Sequence, residues 1–94
     1  MADAATVDTE FVPVRSRDVY TVEIDGEAVL LDERENRLHL LNHSATLVWQ
    51  CFDGEVTVAG LARELSEELD APYEPLLEET LAVVRDLAGE GLLG

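Results

Sequence analysis

The stretch that decides the fold runs from Val19 to Phe52 and reads VYTVEIDGEAVLLDERENRLHLLNHSATLVWQCF. Asp25-Gly26 separates two β-prone runs, Val19–Ile24 and Glu27–Asp32. An Asp-Gly pair between two such runs predicts a β-hairpin with a two-residue turn, because both turn residues must adopt positive φ. The first two elements are therefore predicted to be paired antiparallel strands.

The register of this hairpin sorts the side chains of the predicted sheet into two faces. A loop over residues 33–36 leads into a third strand, Arg37–Leu41, and any even-length loop keeps the same faces. One face carries Tyr20, Val22, Val29, Leu31, Leu38 and Leu40. The opposite face carries Thr21, Leu30, His39 and Leu41. One of the two faces must be covered, and the rest of the chain must supply the cover.

Three helices are predicted after the strands. Asn42 or Ser44 can cap the first, Thr57 begins the second, and the third runs from about Glu74 to Ala88. The apolar face of the first helix comprises Ala45, Val48, Trp49 and Phe52, at i, i+3, i+4 and i+7. Strands that all precede the helices predict an α+β domain, a three-stranded antiparallel sheet followed by three helices.

The third helix is apolar over an unusual width. One stripe consists of Leu76, Thr80, Val83 and Leu87, and a second stripe beside it consists of Leu77, Leu81, Val84 and Ala88. Together they cover roughly 160°, whereas about 100° is expected of a surface helix. Either both stripes belong to the core, or the second lines a groove for another molecule.

Length and composition indicate one domain, which we place at residues 14–94. Residues 1–13 are predicted to form a disordered tail, because the first ten are small, polar and acidic without periodicity. The short apolar segment Phe11–Val14 contains Pro13, which bars it from a central strand. This segment is expected along a sheet edge or under the helices.

The charge of the chain limits its partners. Six arginines face 21 acidic residues, for a net charge of −15. Nucleic acid and anionic membranes are therefore unlikely partners, since both are bound mainly through cations. A cationic peptide or a basic protein surface fits better, although the acidity can also serve solubility alone. Without a signal pattern or a membrane-spanning apolar run, a cytoplasmic protein is expected.

No constellation of catalytic or metal-binding residues is found. His39 and His43 lie four apart across a strand-to-helix junction, and a zinc site needs further ligands. The single Cys51 is expected to be a buried, inert thiol, and the glycines match no nucleotide-binding fingerprint. Ser44 at a helix start has a parallel in acyl carrier proteins, but that fold is all-helical. The sequence predicts a protein that is not an enzyme and uses no cofactor.

Several short motifs carry a family likeness. Their residues are Leu41-Asn42, Ser44-Ala45, Val48-Trp49, Asp53-Gly54, Thr57, Val83-Val84, Leu87 and Gly91-Leu92-Leu93. In this order and spacing they resemble the PqqD-like family, the RiPP recognition elements that act as peptide chaperones in ribosomal natural-product biosynthesis. The likeness covers roughly residues 19–93. The run Val29–Arg34 is similar to stand-alone members of lasso-peptide pathways.

This resemblance implies a winged-helix-like fold and a non-catalytic function. Family members bind the leader segment of a precursor peptide as a strand added to the third strand, over a groove made with the third helix. They deliver it to a modifying enzyme such as a leader peptidase. The implied peptide-binding residues are Arg37, Leu38, His39, Leu40, Leu41, Leu77, Leu81, Val84, Arg85 and Ala88. The strand pattern agrees with this mechanism, because the third strand has an unpaired edge that must be covered or used.

One rival function and one open question remain. The same topology suits a winged-helix DNA-binding regulator. Its recognition helix would be the third, which carries Glu78, Glu79, Asp86 and Glu90 against a single Arg85. That charge argues strongly against DNA. The oligomeric state is open between a monomer and a strand-exchanged dimer.

Overall fold

The computed structural model describes residues 7–94 and contains the six elements in the predicted order. The strands are β1 (Val19–Ile24), β2 (Glu27–Asp32) and β3 (Arg37–Leu40), and the helices are α1 (His43–Gln50), α2 (Val58–Leu69) and α3 (Tyr73–Gly89). The strands form one antiparallel sheet in the order β1-β2-β3. The predicted α+β fold, a three-stranded sheet followed by three helices, is confirmed.

The predicted strand register is also confirmed. Val22 pairs with Val29 across the first hairpin, and Leu31 pairs with Leu38 across the second. Asp25 and Gly26 have φ of 53° and 81°, which is the left-handed geometry that a two-residue hairpin turn requires. The local turn chemistry therefore fixes which side chains share a face of the sheet.

The helices cover the face of the sheet that contains Leu30, which is fully buried. Trp49 of α1 is also fully buried, and its indole Nε1 donates a hydrogen bond of 2.9 Å to Oγ1 of Thr21 on β1. The Arg15 guanidinium lies 5.0 Å from the Trp49 ring centroid and donates from Nη2 to the Trp49 carbonyl oxygen at 2.7 Å. These contacts fix α1 against the inner face of the sheet.

The third strand ends one residue earlier than predicted, at Leu40. The side chain of Thr46 on α1 explains this end. Its Oγ1 accepts a hydrogen bond from the Ala28 N–H at 2.9 Å and donates to the Leu41 carbonyl oxygen at 3.5 Å. The Thr46 hydroxyl group thus replaces the direct hydrogen bond from the Ala28 N–H to the Leu41 carbonyl oxygen that would continue the ladder. The chain turns into α1 at this point. The capping alternative is settled as well, because Asn42 Oδ1 accepts from the Ala45 N–H at 2.8 Å.

Residues 7–13 pack against the helices, although the sequence analysis assigned them to a disordered tail. Val7 is 2% exposed, and the carbonyl oxygens of Thr9 and Phe11 accept hydrogen bonds from the N–H groups of Ala59 and Val58, both at 2.9 Å. These are the free donors of the first turn of α2, so the segment satisfies the end of that helix. The remaining residues of the predicted tail, 1–6, lie outside the described residues. The domain boundary at residue 14 stays a prediction.

The C-terminal residues return to the start of the sheet, as expected from their apolar character. Leu92 and Leu93 are each 1% exposed. The Ser16 N–H donates to the Leu92 carbonyl at 3.0 Å, and the Gly94 N–H donates to the Val14 carbonyl at 2.8 Å. Within residues 7–94, none of the helices has the length and apolarity that crossing a membrane requires.

Candidate functional site

An open groove of about 580 Å³ lies between the edge of β3 and helix α3. Its β3 side contains all five predicted strand residues, Arg37, Leu38, His39, Leu40 and Leu41. Asn42, Ala45, Val83, Asp86, Leu87, Glu90 and Leu92 complete the lining. The groove has an apolar floor with charged residues toward α3 and toward the start of β3.

The backbone of β3 has one free edge beside this groove. Among residues 7–94, β3 is the last strand in the sheet, and it pairs with β2 alone. The Leu41 N–H donates to the Ala28 carbonyl oxygen at 2.9 Å, which places this residue on the bonded side of the ladder. Because the bonding direction alternates along an antiparallel strand, the N–H and C=O groups of Leu38 and Leu40 point away from β2. The free edge therefore offers two donors and two acceptors to another strand.

On the α3 side, the residues that line the groove are not those implied by the family resemblance, whose role in peptide binding stays a prediction. The residues of α3 that line the groove are Val83, Asp86, Leu87 and Glu90. Of the five predicted α3 residues, Val84 is 0% exposed and Ala88 is 3% exposed, so both belong to the core. Leu77 and Leu81 are partly buried side chains packed against that core. The first of the two apolar stripes therefore contributes Val83 and Leu87 to the groove.

Arg85, the remaining predicted residue, lies on the far side of α3. Its Nε donates a hydrogen bond of 3.2 Å to the carbonyl oxygen of Val7. Val83 and Arg85 are two positions apart, which separates them by about 200° around a helix. Arg85 thus contacts the N-terminal segment, whereas Val83 faces the groove. Helix α3 is apolar over a wide surface because it packs against the core, lines the groove and contacts the N-terminal segment.

Two polar features distinguish the end of the groove where β3 begins. The Glu90 carboxylate lies 3.5 Å from Nη2 of Arg37 and 3.9 Å from Nδ1 of His39. Nε2 of His39 is buried and has no hydrogen-bond partner among the described residues. A buried polar atom without a partner is unfavourable. The described residues therefore leave one buried polar atom of His39 unsatisfied beside the groove.

A second hollow, of about 490 Å³, continues along β3 towards the first hairpin turn. It shares Leu40, Leu41 and Asn42 with the groove and is further lined by Ile24, Asp25, Glu27, Ala28 and Val29. Concave surface therefore follows the edge of β3 along its whole length. This hollow was not predicted from the sequence, because it forms where Asp25 of the turn and Glu27 of β2 approach the strand-to-helix junction. The only sequence signal for it was the hairpin itself.

Residues 7–94 contain no cluster of three or more His, Cys, Asp or Glu side chains suited to a metal. Cys51 is half-buried rather than fully buried. Burial raises the pKa of its thiol, and the carboxylates of Glu64 and Glu68 raise it further. The neutral thiol is the form favoured at neutral pH, and it is a poor nucleophile.

Comparison with known proteins gives one family and several solved structures. The family described as "Coenzyme PQQ synthesis protein D (PqqD)" matches residues 27–93. Among curated proteins, no match to this chain is found. The family match spans β2, β3 and all three helices, and it includes both sides of the groove.

Three solved structures share the fold. TbiB1 in complex with the TbiA(beta) leader peptide is 20% identical, with a TM-score of 0.76 over 85% of this chain and 93% of that one. A lasso peptide synthetase B1 complexed with the leader peptide is 23% identical, with a TM-score of 0.72 over 88% and 96%. The PqqD truncation of Methylobacterium extorquens PqqCD is 25% identical, with a TM-score of 0.81 over 97% of both chains. That protein is described as a functional, stand-alone RiPP recognition element.

Proposed function

This chain belongs to the PqqD family, and from that premise we propose that it binds the leader segment of a ribosomally made precursor peptide without catalysing a reaction. The leader adds as a fourth strand to the free edge of β3, over the groove formed with α3. The chain then delivers the precursor to a modifying enzyme, such as a leader peptidase, in the cytoplasm where the precursor is made. The proposed product class is a lasso peptide.

The observation that carries this proposal is the free edge of β3 directly beside an apolar groove. A leader strand can bond to the backbone groups of Leu38 and Leu40, and such bonds are indifferent to the leader's sequence. Alternate leader side chains then point into the groove, because side chains in a strand alternate between the two faces. There they meet Val83 and Leu87, which provide an apolar pocket for selection.

The solved structures support the same assignment. Two proteins with this fold, TbiB1 and a lasso peptide synthetase B1, are each described as complexes with a leader peptide. A third is described as a recognition element that functions alone. A protein that works by recognition needs a binding surface, which the edge of β3 and the groove beside it can provide.

The sharpest test of strand addition changes the leader and leaves this chain intact. Single N-methyl groups are placed at successive residues of the leader of the cognate precursor, and the affinity of each peptide is measured by calorimetry. An added strand bonds to β3 through every second residue. We therefore expect affinity losses that alternate with a period of two. Losses with no such alternation would exclude addition to the edge of β3.

The groove is tested with two aspartate variants of the same helix. Val83→Asp places a charge on the groove wall, whereas Ala82→Asp places the same charge on a neighbouring exposed position outside it. Burying an unpaired charge against an apolar leader side chain is costly. We expect Val83→Asp to bind the leader at least about tenfold more weakly and Ala82→Asp to bind it as the unchanged chain does. Equal affinities would remove α3 from the binding site.

A further inference from the structure

The face of the sheet that points away from the helices is strongly apolar, and residues 7–94 leave it uncovered. We call it the outer face and define it by its six exposed large apolar residues, Tyr20, Val22, Ile24, Leu31, Leu38 and Leu40. Their exposed fractions range from 37% for Leu31 to 79% for Leu40. Single exposed apolar residues are normal on a protein surface, but a contiguous patch across three strands marks an interaction surface.

The outer face is continuous because the strand register places its residues side by side. Tyr20 pairs with Leu31, and Leu31 pairs with Leu38, so one row of apolar side chains crosses the whole sheet. A second row contains Val22, Val29 and Leu40. Leu30 and Ala28, on the opposite face, are buried in the core. The core therefore forms without the side chains of this apolar face.

Charge around the outer face indicates what kind of molecule covers it. Its hairpin end carries the exposed acidic residues Asp25, in the turn, and Glu27, which pairs with Ile24 of the outer face. No Lys, Arg or His occurs anywhere in residues 19–32. A partner with basic side chains at the border of its own apolar patch complements this arrangement. A second copy of this chain does not, because each copy carries a net charge of −15 and the copies repel each other.

We propose that the outer face docks a folded partner protein whose contact surface is apolar and bordered by basic side chains. This proposal rests on the proposed function, because the partner is the enzyme that acts on the bound precursor. The groove and the outer face lie on opposite sides of the sheet, so the precursor and the enzyme bind at the same time. The two surfaces meet only at β3, where Leu38 and Leu40 border both.

The test uses the purified enzyme that modifies the cognate precursor, with its affinity for this chain measured by surface plasmon resonance. Tyr20→Thr/Val22→Thr removes two large apolar side chains from the β1 side of the outer face while keeping residues suited to a strand. Neither residue lines the groove. Val14→Thr is the matched control, because Val14 is 44% exposed and lies outside the outer face. We expect the double variant to bind the enzyme at least about tenfold more weakly and the control to bind it normally.

The acidic border is tested in the same way. Asp25→Asn/Glu27→Gln removes two charges beside the outer face, and Glu67→Gln/Glu68→Gln removes two charges from an exposed part of α2. Because border charges act mainly on the encounter of the partners, the first pair of substitutions should slow association with the enzyme and the second should not. Equal association rates for both variants would remove the basic border from the proposal.

Leader affinity, measured in parallel, separates this proposal from the proposed function. Unchanged leader affinity in Tyr20→Thr/Val22→Thr, together with lost enzyme binding, supports a separate docking surface. If the unchanged chain binds no leader and the double variant still loses enzyme binding, the docking surface is supported and the proposed function is refuted. Equal enzyme affinity of the double variant and the unchanged chain would overturn the docking surface. It would also be overturned if sedimentation showed a dimer that these substitutions separate, with no binding of the enzyme.

Discussion

The carboxylate of Glu90 on α3 lies 3.5 Å from Nη2 of Arg37 on β3, and this ion pair spans the groove at the end where β3 begins. It is the direct charged link between the two walls of the proposed peptide site. The side chains of Arg37 and Glu90 are 59% and 50% exposed. Water and salt therefore screen their attraction strongly.

This exposure predicts that the ion pair does not hold the groove closed. In a double-mutant cycle of Glu90→Gln and Arg37→Gln, we expect a coupling energy of about 1 kcal/mol or less in the free energy of unfolding, measured by urea denaturation. Leader affinity should change less than about threefold in either variant, because so weak a link resists opening only slightly. Much tighter leader binding by Glu90→Gln would show instead that the pair acts as a latch.

The hydroxyl of Thr46 is predicted to be a major contributor to stability despite its small size. Thr46→Val keeps the shape of the side chain but leaves the Ala28 N–H without its hydrogen-bond partner. Thr46 is 1% exposed, so water does not replace that partner. We expect the free energy of unfolding to fall by about 1–3 kcal/mol in urea denaturation. Thr46→Ser keeps the hydroxyl and should lose less, and a larger loss in Thr46→Ser would show that the methyl group matters more.

Asp53 gives the fold a predictable dependence on acid. Its Oδ1 accepts hydrogen bonds from the N–H groups of Glu55 and Val56, at 2.8 and 2.9 Å, and these bonds lower the pKa of the carboxyl group in the folded state. The stabilisation is therefore complete above the ordinary carboxyl pKa and is lost as the pH falls through the lowered value. We expect the difference in unfolding free energy between the unchanged chain and Asp53→Asn to shrink as the solution is acidified. A difference that is independent of pH would contradict this assignment.

The sheet was predictable from the sequence because its register depends on local chemistry. Asp25-Gly26 fixes the first turn, and the alternation of side chains then assigns every strand residue to a face. The choice of which face is buried was not predictable. The more apolar face lies outside, and the helices cover the face with Leu30, where Trp49 supplies most of the bulk. Packing volume and a hydrogen bond to Thr21 decide this, and neither appears in a pattern of apolar residues.

The rotation of α3 could not be predicted for a related reason. A helix that is apolar over a wide surface can pack against the core in several orientations of similar stability. The neighbouring segments then determine which orientation is adopted. Here the selecting segment is residues 7–13, whose composition resembles a disordered tail. Its backbone carbonyls bond to the start of α2, and Val7 contacts Arg85. These are main-chain interactions, which carry almost no signal in the sequence.

Two adjacent valines on α3 test the corrected rotation of the helix with one and the same substitution. Val84 is 0% exposed, whereas Val83 is half-buried and lines the groove. Val84→Ala removes two buried carbon atoms and leaves a cavity, so the free energy of unfolding should fall by about 2 kcal/mol. Val83→Ala removes atoms that face open space and should cost about 1 kcal/mol or less.

Leader affinity should show the opposite order of effects. An apolar contact in a binding groove contributes to the complex, so Val83→Ala should weaken leader binding while Val84→Ala, in the folded fraction, should leave it nearly unchanged. Chemical denaturation and calorimetric titration of the two variants give both quantities. The orientation expected from the sequence, with Val83 in the core and Val84 in the groove, predicts the reverse in each measurement. Because the two residues differ by only 100° around the helix, that reversal would require α3 to be rotated by about one residue, and the groove lining would change with it.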